Sequence, residues 1–517
     1  MLTLRPYQTE AVEQIVDRGN QLLALVMGAG KTAVAVRAVR QLRRERKVDC
    51  GVVFALKSTK YQWEREIRRF DPRATVQVIE GDKFQREKGI RQAHRFNYSV
   101  VHYEMLVNDW ALMGKMPIDF IILDEVTAIK SFTAKRSRRA KILGKRSNFR
   151  IGLSGQPVEN RPEELFSIME FIDPEVLGDF PKFDRTFITR DYWGKPKSYK
   201  NLGLIAKRLD GVMYRKSRAD IAEWLPEMIE TEMPVHLDKR SWNLHEHVRR
   251  DLKAAIDAAL EQGVSGRGFD LLAHYGASDD QSSNQLMGMV MSRMLAMRML
   301  SSHPLLLLES GTNFDDPASA KGSEYASTLK AAGLLDNLPK YTTKFVALID
   351  RIEEILDEDP SYKVVVFSFF KPMLTLIEKE CADKKWGLVR VDGDVSAADR
   401  DRAIRLFNGG DPSKRIFLSS DAGAYGISLG SGSHLICYDL PWSAGALAQR
   451  VARIDRTDSV FKQIQITYLY AANTIEERML TMLQQKRKVS RAFLDKDFDP
   501  KTGTVDLNLE SLREFVE

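Results

Sequence analysis

The sequence predicts an α/β fold with two parallel-sheet lobes. Three observations lead there. Short apolar runs alternate with amphipathic stretches over the first 160 residues. The same alternation returns after about residue 333. Between about Arg240 and Gly333 no run has the look of a strand. Alternating strand and helix signals are the pattern of a parallel sheet covered by helices on both faces.

The first block begins with "QLLALVM" (21–27), a strand candidate. "TAVAVRAVRQLRRER" (32–46) follows, with Val36, Val39 and Leu42 at helical spacing. "GVVFAL" (51–56), "YSVVHY" (98–103) and "FIIL" (120–123) are further strands. The middle block holds two helical stretches, "RDLKAAIDAALEQ" and "NQLMGMVMSRMLAMRML". Its methionine stripe reads as core packing rather than as an adaptable binding surface. "HYGASDDQSSNQ" and "SGTNFDDPASAKGSEYAS" read as loops or linkers. The last block supplies "KVVVFSFF" (363–370), "GLVRVDG" (387–393), "RIFLSS" (415–420), "HLICYDL" (434–440) and "QIQITYLY" (463–470). Ser396 with Asp399, and Thr474 with Glu477, have capping-box spacing at helix starts. The expected division is a first lobe over 1–235, with a helical protrusion at about 161–230. A second lobe follows over 236–517, with a helical insertion at about 240–335.

Bulk properties narrow the class. A chain of 517 residues with 44% apolar and 29% charged content has ample core and no global disorder signature. The net charge of +7 favours a polyanionic partner only weakly. Cys50, Cys381 and Cys437 are far apart, so neither a disulfide framework nor a metal cluster is implied, and a reducing compartment fits. His245 and His247 flank Glu246 and read as surface residues, since positions two apart do not share a helix face. The start "MLTLRPYQTEAVEQIV" does not resemble a signal peptide, and no apolar run reaches membrane-spanning length. The expected location is cytoplasmic, at the nucleoid or in a host cytoplasm for a bacterial or viral chain, and nuclear for a eukaryotic one.

Two short stretches carry chemistry. "LVMGAGKT" (25–32) links a strand to a helix. Backbone N–H groups of such a glycine turn and of the helix N-terminus can wrap phosphate oxygens. Lys31 would reach the outer phosphates and the Thr32 hydroxyl would bind Mg²⁺. The strict phosphate-loop pattern wants glycine at position 25, where this chain has Leu25. "FIILDE" (120–125) ends a strand on two acids. Alone, Asp124 and Glu125 read as surface acids; beside GAGKT, Asp124 can hold Mg²⁺ and Glu125 can activate water. "QRVARIDR" (449–456) puts Arg453 and Arg456 on one helix face of the second lobe, as a solvated face or as a source of arginine fingers. "IKSFTAKRSRRAKILGKRSNFR" (129–150) holds nine Lys/Arg and no acid, and reads as a phosphate-backbone contact.

The order of these motifs resembles the Swi/Snf-type branch of the superfamily-two helicase-like ATPases, from about Leu4 to Leu494. "LRPYQTEAV" looks like the adenine-reading Q-motif, which implies that role for Gln8. "MGAGKT" resembles M-G-x-G-K-T, which implies ATP phosphates at Gly28, Gly30, Lys31 and Thr32. "STKYQWEREI" is similar to the segment after motif Ia, and "HYEML" to T-Y-E-x-L. "LDEVTAIKS" resembles D-E-A-H-x-I-K-N, "LSGQPVEN" resembles L-T-G-T-P-I-Q-N, and "LSSDAGAYGISL" resembles S-T-R-A-G-G-L-G-I-N-L. "YRKSRADIAEWLP" and "SSHPLLL" match spacers of this branch, and "TIEERML" its closing helix.

The resemblance implies two RecA-like lobes with ATP and Mg²⁺ in their cleft and double-stranded DNA across both. It assigns the finger role to Arg453 and Arg456, and adds Gly426 to the nucleotide site. It places Thr127, Lys130, Ser154, Gln156, Ser419, Ser420, Trp442 and Gln449 in coupling or DNA contact. The implied function is an ATP-driven, monomeric duplex-DNA translocase without chromatin-reading modules, which remodels DNA or displaces bound protein. A strand-separating or branch-processing helicase and an ATP-gated DNA-binding scaffold are the alternatives. Thr127 stands where the family has His, Gln156 where it has the second Thr of T-G-T-P, and Ser420 and Asp421 where it has Thr and Arg. Ser443 and Ala444 replace Asn and Pro after Trp442. A long Gln156 opposite a short Thr127 is expected to preserve the coupling contact.

Overall fold

A computed structural model of the chain describes residues 3–155, 157, 162–190, 192, 196–262, 281–319, 321–424, 426–494 and 513. Gln156 therefore lies outside the described residues, and with it the Thr127–Gln156 contact. The strands of the first lobe are β1 (Asn20–Leu25), β2 (Gly51–Ala55), β3 (Val76–Val78), β4 (Tyr98–His102), β5 (Phe120–Leu123) and β6 (Phe149–Leu153). A small antiparallel hairpin, β7 (Ile188–Arg190) and β8 (Pro196–Tyr199), stands apart, and β9 (Met213–Lys216) returns to the sheet. The sheet order is β3-β4-β2-β5-β6-β1-β9, parallel throughout. β2 and β5 are buried along their whole length, which is why they read as unbroken apolar runs. Because all the strands run one way, β1 and β5 deliver Val26 and Asp124 to the same end of the sheet, where open α/β folds place ligands.

The second lobe contains β10 (Glu227–Val235), β11 (Val364–Phe367), β12 (Leu388–Val391), β13 (Ile416–Ser419), β14 (His434–Cys437) and β15 (Gln463–Ala471). Their order is β10-β15-β14-β11-β13-β12, again all parallel. β10 corrects the expected division at 235. It pairs with β15 from Glu227 opposite Gln463 to Val235 opposite Ala471, so 227–235 belong to the second sheet. Its residues are half-buried or exposed, and Pro234 fits only an edge strand, so "EMIETEMPV" lacked the apolar run of its neighbours. The expected protrusion at 161–230 is also only partly one. Helix Pro162–Ile172 packs Leu165, Phe166 and Met169 into the first core, and β9 is an edge strand of the sheet.

The described part of the insertion is mainly helical. Helices Lys239–Glu261 and Gln281–Ser302 share one core, with Leu244, Val248 and Leu252 on the first and Met294, Met297 and Leu300 on the second. The methionine stripe is core at Met294 and Met297, while Met289 stays at the surface. The expected loop "SGTNFDDPASAKGSEYAS" is instead mostly helix: Pro304–Asp315 and Glu324–Ala331 cover much of it. Gly311 allows this, because a Cβ there would lie 2.8 Å from the Ala326 carbonyl oxygen. "HYGASDDQSSNQ" falls largely outside the described residues. Among them, no helix is long and apolar enough to cross a membrane.

His245 is buried, not surface. It follows Leu244 on the inward face of its helix, three residues before buried Val248, and stacks on Trp242 at 5.7 Å. Burial holds its imidazole down at about 4, against the partial pull of Glu246. A histidine held below its unfolded value, near 6.5, supports the fold fully above that value and loses this support as pH falls toward 4. His245→Leu is therefore expected to flatten the acid-side stability slope by about 1.4 kcal/mol per pH unit within that window. Urea denaturation of both proteins at pH 7, 6 and 5 checks this.

Candidate active site

The turn after β1 carries glycines at 28 and 30 with φ of +80° and +81°, a region that L side chains avoid. Gly30 caps helix Lys31–Arg44, so the turn and the helix N-terminus share one hollow. Two neighbours fix the turn from outside: Tyr7 Oη and Gln8 Nε2 both donate to the Ala29 carbonyl, at 3.0 and 2.9 Å. Gln8 Oε1 in turn accepts from the Arg5 amide at 2.9 Å. The side-chain amide of Gln8 thus holds the loop. Gly30 permits the approach, since a Cβ there would lie 2.5 Å from Gln8 Nε2.

Asp124 and Glu125 leave β5 at the same end. The Asp124 amide donates to the Phe54 carbonyl at 2.9 Å, and its own carbonyl accepts from Tyr103 Oη at 2.7 Å. Its carboxylate accepts from the Trp63 indole at 2.8 Å. Burial pushes the Asp124 carboxyl up, opposed by that indole and by Lys31. Burial likewise pushes the Lys31 ammonium down, opposed by Glu125 and Asp124. Lys31 Nζ donates to the Leu25 carbonyl at 3.1 Å. Two acids and one lysine thus share a partly desolvated hollow, an arrangement common in catalytic sites.

A single cleft joins these groups to the second lobe. Gly28, Gly30, Lys31, Thr32, Asp124 and Glu125 line one side, together with Thr59, Gln62 and Trp63. Gly426, Arg453 and Arg456 line the other. Gly426 has φ +74°, and a Cβ there would lie 2.5 Å from the Thr59 Cγ2 atom, so the lobes meet closely. Arg453 is tied by its Nε to the Gln449 carbonyl at 2.8 Å and by a terminal nitrogen to the Ile427 carbonyl at 3.1 Å. Arg456 Nε donates to the Asp458 carboxylate at 3.1 Å. Sequence reasoning missed Thr59, Gln62 and Trp63. The signal was a lone tryptophan in the strongly charged helix Lys60–Phe70. Trp63→Phe would remove a hydrogen bond that favours the charged carboxylate, so Asp124 moves further up. The acid limb of any activity that needs ionised Asp124 is expected to shift to higher pH, readable in a kcat/KM profile.

Among the described residues, those expected to couple or to touch DNA are not part of this cleft lining. Thr127 belongs to the short helical turn Val126–Ile129. Lys130 lies 3.7 Å from Glu164, and the buried Ser154 donates its amide to the Leu23 carbonyl. Ser419 Oγ donates to the Val391 carbonyl at 2.9 Å, and Ser420 Oγ accepts the Gly423 amide at 3.3 Å. The Trp442 ring lies under the Arg298 guanidinium at 5.0 Å. Asp421, where the resemblance puts an arginine, forms a two-armed pair with buried Arg450, at 2.6 and 2.8 Å. Several members of the basic run have partners within the chain. Lys141 pairs with Glu170, Arg139 donates to the Leu106 and Val107 carbonyls, and Arg146 donates to the Gly114 and Met116 carbonyls. Arg136 lies over the Tyr103 ring. Lys135, Arg138 and Lys145 remain exposed.

Comparison with known proteins gives this arrangement a family. Residues 7–296 match the SNF2-related domain, and residues 347–458 match the helicase conserved C-terminal domain. The chain is 26% identical over 507 residues to the ISWI chromatin-remodeling complex ATPase ISW1 of Saccharomyces cerevisiae, covering 96% of this chain and 41% of that protein. It is 26% identical over 497 residues to the human SWI/SNF-related matrix-associated actin-dependent regulator of chromatin subfamily A member 1, covering 94% and 43%. The chain thus spans about two fifths of the length of these curated relatives. A solved structure titled Sulfolobus solfataricus SWI2/SNF2 ATPase core in complex with dsDNA aligns over all of this chain and 97% of that one, with TM-score 0.42 and 24% identity. Since the SNF2-related model covers more than half of its residues, the chain belongs to the SNF2-related domain family.

Proposed function

We propose that the chain is a DNA-dependent ATPase that uses ATP hydrolysis between its lobes to translocate on double-stranded DNA. The observation that carries this reading is the single cleft lined by the glycine turn, Lys31, Asp124 and Glu125 from one lobe and by Arg453 and Arg456 from the other. One chain supplies both sides, which supports a monomeric motor. Duplex DNA as the track rests on family membership and on relatives described as chromatin-remodeling ATPases.

The oxygen donors Thr32 and Asp124 both border the cleft, and hard oxygen ligands beside phosphates suit Mg²⁺. Bound there with ATP, the ion would neutralise charge on the phosphate oxygens. The chain's own groups do the rest. Backbone N–H groups of the glycine turn and the Lys31 ammonium bind the phosphates. Glu125 orients a water and takes its proton as the water oxygen bonds to the terminal phosphorus. The bond to the bridging oxygen breaks, and ADP leaves with the electron pair. Arg453 and Arg456 stabilise the charge spread over the transferring group. Closing and reopening of the cleft then moves the lobes along one strand's phosphates.

ATP hydrolysis measured with duplex DNA, single-stranded DNA and RNA at fixed salt tests this reading. Stimulation greatest with duplex DNA and abolished by Lys31→Ala is the expected result. Absence of DNA-stimulated hydrolysis would overturn it. Triplex displacement without duplex unwinding separates translocation from strand separation.

A further inference from the structure

The chain passes from the first sheet to the second through residues 217–226, between β9 and β10. Arg218 opens this connector. Its Nε and one terminal nitrogen donate to the two carboxylate oxygens of Asp455, at 3.0 and 3.2 Å. The same terminal nitrogen donates to the Pro226 carbonyl and so ties the start of the connector to its end. Asp455 is buried and sits between Arg453 and Arg456 in sequence. Its carbonyl oxygen faces the phosphate loop so closely that a Cβ on Gly28 would lie 2.6 Å from it. Thr457 Oγ1 donates to the Gly28 carbonyl at 3.3 Å. Connector, arginine segment and glycine turn therefore meet at one point. A two-armed guanidinium–carboxylate pair fixes direction as well as distance. Neither Arg218 nor Asp455 lines the cleft, so neither touches nucleotide directly.

We infer that the Arg218–Asp455 pair is an interlobe strut that positions the arginine segment over the phosphate loop and ties it to the connector. This inference rests on the ATPase reading above. Both partners are positioning residues. They affect hydrolysis through Arg453 and Arg456, and a misplacement of about 1 Å in such a segment costs up to about 10²-fold in rate.

Two readouts test it. The first is steady-state ATP hydrolysis at saturating duplex DNA. Arg218→Ala and Asp455→Asn are each expected to lower kcat by about 10- to 100-fold, with KM for ATP within about twofold. The double variant is expected to be no worse than the worse single one, because residues acting through one contact are not additive. Arg218→Lys keeps the charge but loses the fork, and is expected to fall between wild type and Arg218→Ala. The second readout needs no turnover. With Cys50→Ser, spin labels at Lys115→Cys and Lys379→Cys report the interlobe distance by pulsed electron resonance. Arg218→Ala is expected to broaden that distribution. Additive losses, a rise in KM with kcat intact, or a lowered kcat with an unchanged distribution would each overturn the strut. So would a broadened distribution with unchanged kcat. Lack of DNA-stimulated hydrolysis in the unsubstituted chain overturns the ATPase reading instead, and the distance measurement still judges the strut.

Discussion

Arg456→Ala is expected to lower the maximal rate of DNA-stimulated ATP hydrolysis by about 10³-fold or more, with little loss of stability. The two cleft arginines are held differently. Arg456 has its Nε on the Asp458 carboxylate, whose side chain is 63% exposed, so little buried structure depends on that bond. A pair of this kind is worth about 0–1 kcal/mol. Arg453 is different. Its side chain satisfies the Gln449 and Ile427 carbonyls, and its own carbonyl accepts the Leu429 amide. Removing the side chain leaves buried acceptors short of donors, at about 1–3 kcal/mol. Arg453→Ala is therefore expected to lose comparable rate and also to lower the melting temperature. A coupled ATPase assay beside thermal denaturation separates the two. Lysine is not expected to rescue either position, because an ammonium lacks the planar fork that grips phosphate oxygens. Equal rates for Arg456→Ala and wild type would remove Arg456 from the chemistry.

The legible parts of this molecule are those where burial and chemistry coincide. β2, β5, β11 and β14 are buried on both faces and read as apolar runs with nothing to compete. β3, with three residues, and β10, a polar edge, carry too little apolar sequence to be seen. The groups proposed to bind ATP were legible as one cluster because phosphate chemistry demands glycine, lysine and acid at set positions after strands, and they line one cleft. Trp63 was not, since a tryptophan on an amphipathic helix reads as core. Its single polar atom, which finds Asp124 61 residues away, is a tertiary fact. Gln8 is a different case. The resemblance implies that its amide reads the ligand, and in the fold that amide also holds Ala29 through the gap left by Gly30. The basic run is ambiguous for a related reason. Charge in a sequence does not say whether its partner is a phosphate or, as for Lys141 and Arg139, a carboxylate and a carbonyl of the same chain.

Glu125→Gln is expected to keep ATP binding and the fold while lowering kcat by about 10²- to 10⁴-fold, since the substitution removes only the proton acceptor. Equilibrium binding of a fluorescent ATP analogue, set against single-turnover hydrolysis, reads the split. The backbone gives this position a further property. Glu125 sits at φ +47° and ψ +63°, in the left-handed region, between the end of β5 and the turn Val126–Ile129. A side chain there costs about 1–2 kcal/mol relative to ordinary geometry. Glycine escapes that cost but gives up about 0.5–1 kcal/mol of unfolded-state entropy. Glu125→Gly is therefore expected to be more stable than Glu125→Ala by about 0.5–1 kcal/mol, although both are equally inactive. If alanine proved the more stable, the strain at 125 would be absent, and the acid would hold its place by side-chain contacts alone. If glycine does, the fold tolerates a strained turn at the position proposed to face the attacking water, and the strain is part of how that acid is placed.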